Sequence, residues 1–540
     1  MGAQGADPSL YDPSLYGPSF LEDAARPHLF PCPVFSDRPV MPAPVTPLRP
    51  PLDRRTLLKT AAAAGAAALA PPAALSSDAS NASDALRWDE EHDVVIAGAG
   101  GAGLAAAVMA GGICGDVVVL EKMQSVGGNT RLADAFNAVD PSAQQPLGIE
   151  DSPELHASQM IETGRWCANP ALAQTVAYGA PKTLEWLKEI GVKFEPGVYQ
   201  VYGSLWARTH SPSEPEGSGY IRPLLFKCRE LGVSIRTGTK VLRVIRDGLE
   251  GPVLGVEALK RNGGRIFIRT RRGIVAATGG FGANAELVGR FDPRLGRLRT
   301  TNLPGTTGDL LAPLEDIGAA AVGMEFFQLL PGSAETGRYI GAVSPVERMI
   351  LVNRSGERFI AEDSPSSRLT EAVLSQPGGI AFPILDADGC AAMRTLPRTM
   401  FDRALMRGDA FEAGSIPELA SHLQIPAEAL QATIMAYNQT VATRQDPLGR
   451  SAGVLAHRIV RPPFYGAKVT MCVNCTLGGI AITPRAEVLD RRGRVIPRLY
   501  AAGEFTGGVH GENYMGGNAL SDVFTFGRIA GENAAREAFS

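Results

Sequence analysis

The chain has 540 residues, with 52 Lys and Arg against 56 Asp and Glu, a formal charge of −4 and 45% hydrophobic residues. That length exceeds what one core organises, so two domains plus extensions are expected; the dispersed, nearly balanced charge argues against a nucleic-acid or anionic-membrane surface and for small-molecule partners. Seven scattered cysteines make no disulfide framework, Cys472-Val-Asn-Cys475 lacks the following His of c-type haem attachment, and no second pair completes a zinc site, so no metal is expected.

Residues 1–52 are Pro-rich and carry a near repeat, Asp7-Pro-Ser-Leu-Tyr11 and Asp12-Pro-Ser-Leu-Tyr16, and are expected to form a disordered extension. Residues 53–86 hold Arg54-Arg55, an alanine-rich stretch to Ala70 and Pro71-Pro72. This resembles a twin-arginine signal with its linker and implies a periplasmic or other extracytoplasmic location; the competing reading is a basic cap on an Ala-rich helix. Leu57 stands where such signals usually have Phe, and a start at Met41 would shorten the extension. No run approaches the roughly 18 apolar residues of a spanning helix, so no stable membrane insertion is expected.

The strand-like run Asp93-Val-Val-Ile-Ala97 leads into Gly98-Ala-Gly100-Gly101-Ala-Gly103 and the helical stretch from Leu104. Glycines at such a turn let backbone approach a pyrophosphate, and the helix N-terminus adds aligned N–H groups. Glu121 closes a second apolar run, Val117–Leu120, where an acidic residue binds ribose hydroxyls. Strand, turn, helix, strand and carboxylate together specify a dinucleotide site. Gly127-Gly128-Asn129-Thr130 are small and polar enough to pass a ribityl or diphosphate group, or to form a simple turn.

Beyond them, βαβ units with turn signals predict an α/β fold built on a parallel sheet flanked by helices. Val233–Thr237 and Val241–Ile245 lead to Gly273–Ala277, whose Thr278-Gly279-Gly280 end returns to the dinucleotide site. Gly516-Gly517-Asn518-Ala519, more than 400 residues after the first glycines, is shaped for the same ligand.

From about Asp93 to Gly531 the chain resembles soluble fumarate reductase and urocanate reductase flavoproteins, related to succinate dehydrogenase flavoprotein subunits and 3-ketosteroid dehydrogenases. The motifs are Glu121-Lys122 with Gly127–Thr130, Ala277–Phe281, Thr307-Gly-Asp309, Val352-Asn-Arg354 with Gly356–Phe359, and Tyr500-Ala-Ala-Gly503-Glu504 with Gly507–Gly511. The resemblance implies FAD as cofactor, with Glu121 on the adenosine ribose and Gly128–Thr130 on the diphosphate and ribityl region. It places Asp309 and Glu504 on further FAD hydroxyls, and Asn518, Ala519, Leu520 and Ser521 beside the isoalloxazine. It also implies a Rossmann-like FAD-binding domain in two parts, 87–325 and 475–540, interrupted by an inserted α+β capping domain over 326–474.

In fumarate reductases of this type two histidines and two arginines clamp the dicarboxylate, one arginine delivering a proton. Here the first histidine position is Leu330 in Gln328-Leu-Leu330-Pro331, the second is Cys475, and one arginine position is Tyr514 in Asn513-Tyr-Met-Gly-Gly517. The proton-donating arginine becomes Ser366 in ungapped register, with Arg368 two positions late. Two carboxylates need paired cations, so fumarate or succinate chemistry is not expected. Tyr514 is a candidate proton donor or pocket wall, Arg368 a donor if its loop carries an insertion, and His510 mainly a support for the cofactor. Cys472 and Cys475 are a redox pair or plain pocket lining.

The leading expectation is an FAD oxidoreductase that reduces a C=C bond next to a carbonyl or carboxylate. The alternatives are an α,β-dehydrogenase working in the reverse direction and a non-catalytic flavin electron carrier. No haem motif and no covalent-FMN Ser-Gly-Ala-Thr motif occurs, so a separate electron donor or acceptor is expected.

Overall fold

A computed structural model describes residues 87–539 except 202, 344, 345 and 365; the N-terminal extension and the twin-arginine-like segment lie outside the described residues. Strand β1 (Glu90–Ala97) is part-exposed at its start and buried from Asp93 onward. It runs into helix α1 (Gly101–Gly111) and then β2 (Val117–Leu120). Further along come β3 (Ser234–Arg236), β4 (Arg265–Ala276), β5 (Phe327–Ser333), β6 (Val469–Thr476), β7 (Val495–Ala501) and helix α2 (Asn518–Arg536).

The larger sheet has eight strands, and its main path runs Glu487–Leu489, β7, β4, β1, β2, β3. β1 pairs parallel with β2 and β4, and β4 pairs parallel with β7. Their apolar runs are continuous rather than alternating because both faces of a parallel sheet are covered. In this register Ala97 stands opposite both Leu120 and Ala276, and Ala276 opposite Ala501. Four strands therefore end at one level, and the segments leaving them (98–103, 121–130, 277–281 and 502–506) converge at the carboxyl edge, where open α/β sheets bind ligands.

Helix α2 lies across α1 at close range. A Cβ on Gly527 would come within 2.6 Å of the Ala102 carbonyl oxygen, and one on Gly531 within 2.2 Å of that of Ala106. Only glycine permits this approach, which brings the N-terminus of α2 to the same edge as that of α1.

The second sheet has six strands, ordered β5, β6, Ile380–Leu385, Phe464–Ala467, Ala410–Ala413, with Met349–Val352 paired to Ile380–Leu385. Its pairings are antiparallel. Apolar residues of this region form two clusters of their own, one around Met349, Phe401 and Met471 and one around Phe382, Leu419 and Tyr437. A buried ion network ties the region together: Glu362 accepts from the Leu351 amide (3.0 Å), Arg358 (2.8 and 2.6 Å) and Arg450 (3.1 Å), while Arg358 also reaches Asp446 (2.9 Å). The fold is thus mixed α/β, a parallel-sheet domain with an additional capping domain. No helix among the described residues is long and apolar enough to cross a membrane.

Candidate cofactor and substrate site

The glycine turn after β1 separates two jobs. Gly98 (φ +103°) and Gly103 serve close packing, since a Cβ on Gly103 would lie 1.9 Å from the Gly98 carbonyl oxygen and one on Gly98 would lie 2.3 Å from that of Ala277. Gly100 and Gly279 face open space, with nothing within 4 Å of an added Cβ. The loop is fixed from behind: the Ala99 and Met123 amides donate to Glu121 (2.9 and 2.8 Å), Gly127 N–H to Ala99 (2.7 Å), and Gly101 N–H to Thr130 Oγ1 (3.1 Å). A carboxylate has about four acceptor positions, so Glu121 keeps capacity for a ligand hydroxyl. Two buried groups at this edge, Thr278 Oγ1 and Asn518 Nδ2, have no partner. An open cradle at Gly100 and Gly279, rimmed by helix N–H groups and orphaned polar atoms, fits a dinucleotide with a polar ring system.

Other predicted cofactor residues are tied to one another. Asp309 binds Lys122 (2.6 Å) and Lys240 (3.2 Å), and Lys122 also donates to Thr307 (2.6 Å). Burial works to raise the Asp309 carboxyl, but the two lysines outweigh it and hold it below the usual range. Asp309 is therefore part of an ion-paired cluster with Lys122 and Lys240. Asn129 spends its side chain on Asn302 (2.5 Å), the Leu303 amide (3.0 Å) and Thr306 (3.2 Å). Glu504 accepts from the Thr476 amide (3.1 Å), and a Cβ on Gly280 would strike its Oε1 at 2.5 Å. Burial pushes the Glu504 carboxyl up.

At the start of α2, Asn518 Oδ1 accepts from Asn137 Nδ2 (2.8 Å) and meets His156 Nε2 (3.0 Å). Ser521 Oγ donates to the Asn137 carbonyl (2.7 Å) and accepts its amide (3.0 Å). Asn518, Leu520 and Ser521 are buried, and of the four residues expected beside the ring Ala519 alone keeps partial exposure.

On the substrate side, β5 and β6 set Gln328 opposite Cys475 and Leu330 opposite Cys472. Tyr514 packs edge-on against His510, with ring centroids 5.6 Å apart at 85°, and His510 Nε2 is held by Asp522 (3.2 Å). The Tyr514 oxygen accepts the Gly517 amide (3.3 Å), and its own proton has no acceptor among the described residues. Burial, then the neighbouring Cys475, raises the phenol, so it is protonated at neutral pH. Tyr514, His510 and Cys475 thus lie together.

Two further candidates stand in contrasting surroundings. Cys472 and Cys475 are free thiols, Cys472 pushed up to about 11 by burial and Cys475 raised by burial and Glu504, surroundings that favour the pocket-lining alternative over redox chemistry, which needs an accessible low-pKa thiol. Arg368, on the helix Ser366–Leu374, is exposed and makes no hydrogen bond or ion pair with any described residue.

Sequence reading missed Asn137, His156, Asp134, Ser211 and Tyr199. None belongs to a motif: Asn137 and His156 reach Asn518 because the chain near 137 returns beside 516–518, and Asp134, Ser211 and Tyr199 meet because Phe136–Asn137 pairs with Thr209–His210 and Tyr199 bridges Thr209.

Against known proteins, the chain is 32% identical over 524 residues to the NADH:acrylate oxidoreductase of Vibrio harveyi, spanning 84% of this chain and 52% of that one, so it accounts for about half of that relative's length. The open conformation of a flavocytochrome c3 fumarate reductase superposes with a TM-score of 0.70 at 29% identity, covering 83% of this chain and 79% of that one. The 3-ketosteroid-delta4-(5alpha)-dehydrogenase of Rhodococcus jostii RHA1, in complex with 4-androstene-3,17-dione, gives 0.65 at 27%, covering 84% and 99%. A family model described as FAD binding domain matches residues 93–520, and the chain belongs to that family of FAD-dependent flavoproteins.

Proposed function

We propose that this protein is an FAD-dependent oxidoreductase that reduces a C=C bond conjugated to a carbonyl or carboxylate. The observation that carries the reading is Tyr514: its phenol accepts the Gly517 amide, gives its own proton to no described residue, and lies four residues before Asn518, where α2 starts. When bound, FAD supplies hydride to one carbon of the alkene. Tyr514 O–H protonates the other, and the Gly517 N–H then stabilises the phenolate. His510, fixed by Asp522, limits the ring to one orientation.

Gly98, Gly100, Gly101 and Gly103 carry the pyrophosphate turn, Glu121 the ribose, Gly127–Thr130 with Gly279 and Gly280 the passage to the ring, and Gly503 with Glu504 the far side. The Lys122–Asp309 pair supports that passage through Thr307. Residues 326–474 form the cap. Leu330 and Cys475 replace charged groups with apolar ones, so the substrate carries at most one carboxylate.

A second reading, an α,β-dehydrogenase, is favoured by the likeness to a 3-ketosteroid dehydrogenase and by the same tyrosine, which can polarise a carbonyl. Steady-state assays with reduced viologen and an alkene, and with an oxidising dye and the saturated compound, decide the direction; turnover only in the dye assay would overturn the first reading. Electrons pass to or from a separate carrier. The Arg54-Arg55 segment supports an extracytoplasmic location. A fusion of residues 1–90 to a folded reporter is expected to cross the bacterial inner membrane and to lose that ability when both arginines become lysine.

A further inference from the structure

Three segments close in on Tyr514. The first, 134–137, is held by the Asn137 amide on the Gly517 carbonyl (3.2 Å) and Asn137 Nδ2 on that of Gly516 (2.8 Å). The second is the turn before Ser204, where the Gly203 carbonyl accepts the Gly516 amide (2.9 Å). The third is 514–518 itself.

Beside the first segment, where Phe136–Asn137 pairs with Thr209–His210, Tyr199 OH and Ser211 Oγ are hydrogen-bonded at 2.8 Å, and Ser211 Oγ donates at 3.4 Å to Asp134 Oδ2. Among the described residues this is the only hydrogen bond that another residue's side chain gives the Asp134 carboxylate, which stays partly accessible. Arg394 stacks on the Tyr199 ring at 3.4 Å rather than pairing with Asp134, and its nearest carboxylate contact is Glu195 at 4.0 Å. A carboxylate in a recess with one long hydrogen bond retains most of its acceptor capacity.

The geometry points to Asp134 as a specificity-determining residue: with the Ser211 and Tyr199 hydroxyls it forms a hydrogen-bond-accepting pole that selects an unsaturated substrate bearing a hydroxyl or N–H donor at the end remote from the reacting bond, and rejects one bearing a second carboxylate there. This rests on the alkene-reducing site proposed above and adds to it the far end of the substrate. The apolar replacements at Leu330 and Cys475 remove attraction for a second carboxylate; Asp134 adds active repulsion, the more effective device for discrimination.

The groups facing Asp134 are Ser211, Tyr199, Glu195 and Arg394, together with the buried phenols of Tyr220, Tyr339 and Tyr514, each raised further by the Asp134 charge. Burial pushes the Asp134 carboxyl up to about 6, Ser211 and Arg394 opposing and Glu195 adding to the rise. Above that pH it is an anion and repels a carboxylate; below it, it is neutral and can donate.

The test is equilibrium binding to the FAD-loaded oxidised enzyme, read from the flavin absorbance change, with 4-hydroxycinnamate and 4-carboxycinnamate. Wild type at pH 7.5 is expected to bind the hydroxy compound at least about 10-fold more tightly, and Asp134→Asn to bring the two within about threefold. Independently of any variant, the wild-type preference is expected to shrink as pH falls from about 7.5 to 5. A preference unchanged in both Asp134→Asn and the pH series, a wild type that prefers the carboxy compound, or no binding of either would overturn the inference. Because the readout is binding without turnover, failure of alkene reduction registers separately, in the viologen assay.

Discussion

Gly100 and Gly103 sit in the same turn yet face opposite environments, and that difference separates cofactor binding from folding. An added side chain at Gly100 enters open space, whereas a Cβ on Gly103 meets the Gly98 carbonyl at 1.9 Å. Gly100→Val is expected to give a folded protein with a near-wild-type melting temperature that purifies colourless; Gly103→Val is expected to lose stability by roughly 2 kcal/mol or more. Absorbance at the flavin band and thermal melts of the two variants check this, and a yellow Gly100→Val protein would remove the cradle from the pyrophosphate site. At Tyr514 the hydroxyl alone is in question. Tyr514→Phe keeps the packing on His510 and is expected to retain FAD while turnover falls by roughly 10² to 10⁴. A fully active variant would hand the proton transfer to water. All three residues could be singled out in the sequence, the glycines from their motif and Tyr514, as a candidate, from its place in a known pattern. Asp134 could not, because its significance comes from Ser211 and Tyr199, which reach it only through the return of the chain.

Among elements, the strand, turn and helix at the start of the described chain were read correctly because each local signal agreed: a continuous apolar strand, glycines at a turn, then small helix formers. The parallel sheet followed from the same alternation. Less visible was how elements hold one another. The motif containing Asp309 suggested a ligand contact, while the fold gives that carboxylate two lysines, one on the far strand Thr239–Arg246. In the capping region the element-level device is the Glu362 network, which joins the strand Met349–Val352 to Arg358, Arg450 and Asp446. Removing the charge of Glu362 leaves two buried guanidiniums under-compensated. Glu362→Gln is expected to destabilise the protein by about 3 kcal/mol, seen as a shifted denaturation midpoint, with local unfolding in hydrogen exchange confined to the cap. A loss of protection spread equally over α1 and β1 would contradict that confinement.

Among the described residues, two large sheets and three apolar clusters divide the labour. The parallel sheet brings loops from four strand ends to one edge, and the second sheet contributes β5 and β6, which carry Leu330 and Cys475, the positions proposed to replace charged substrate contacts. Similarity to a NADH:acrylate oxidoreductase and to a fumarate reductase supports the proposed class of chemistry and leaves the substrate open. Losing several charge-assisted contacts at about 1.5 to 3 kcal/mol each amounts to orders of magnitude in affinity for a dicarboxylate. The decisive measurement is anaerobic single-turnover reoxidation of the reduced enzyme by fumarate and by α,β-unsaturated monocarboxylates and enones. At least one compound of the second group is expected to reoxidise the flavin more than about 100-fold faster than fumarate at equal concentration; fumarate as the fastest oxidant, or no reoxidation by any of them, would contradict the account.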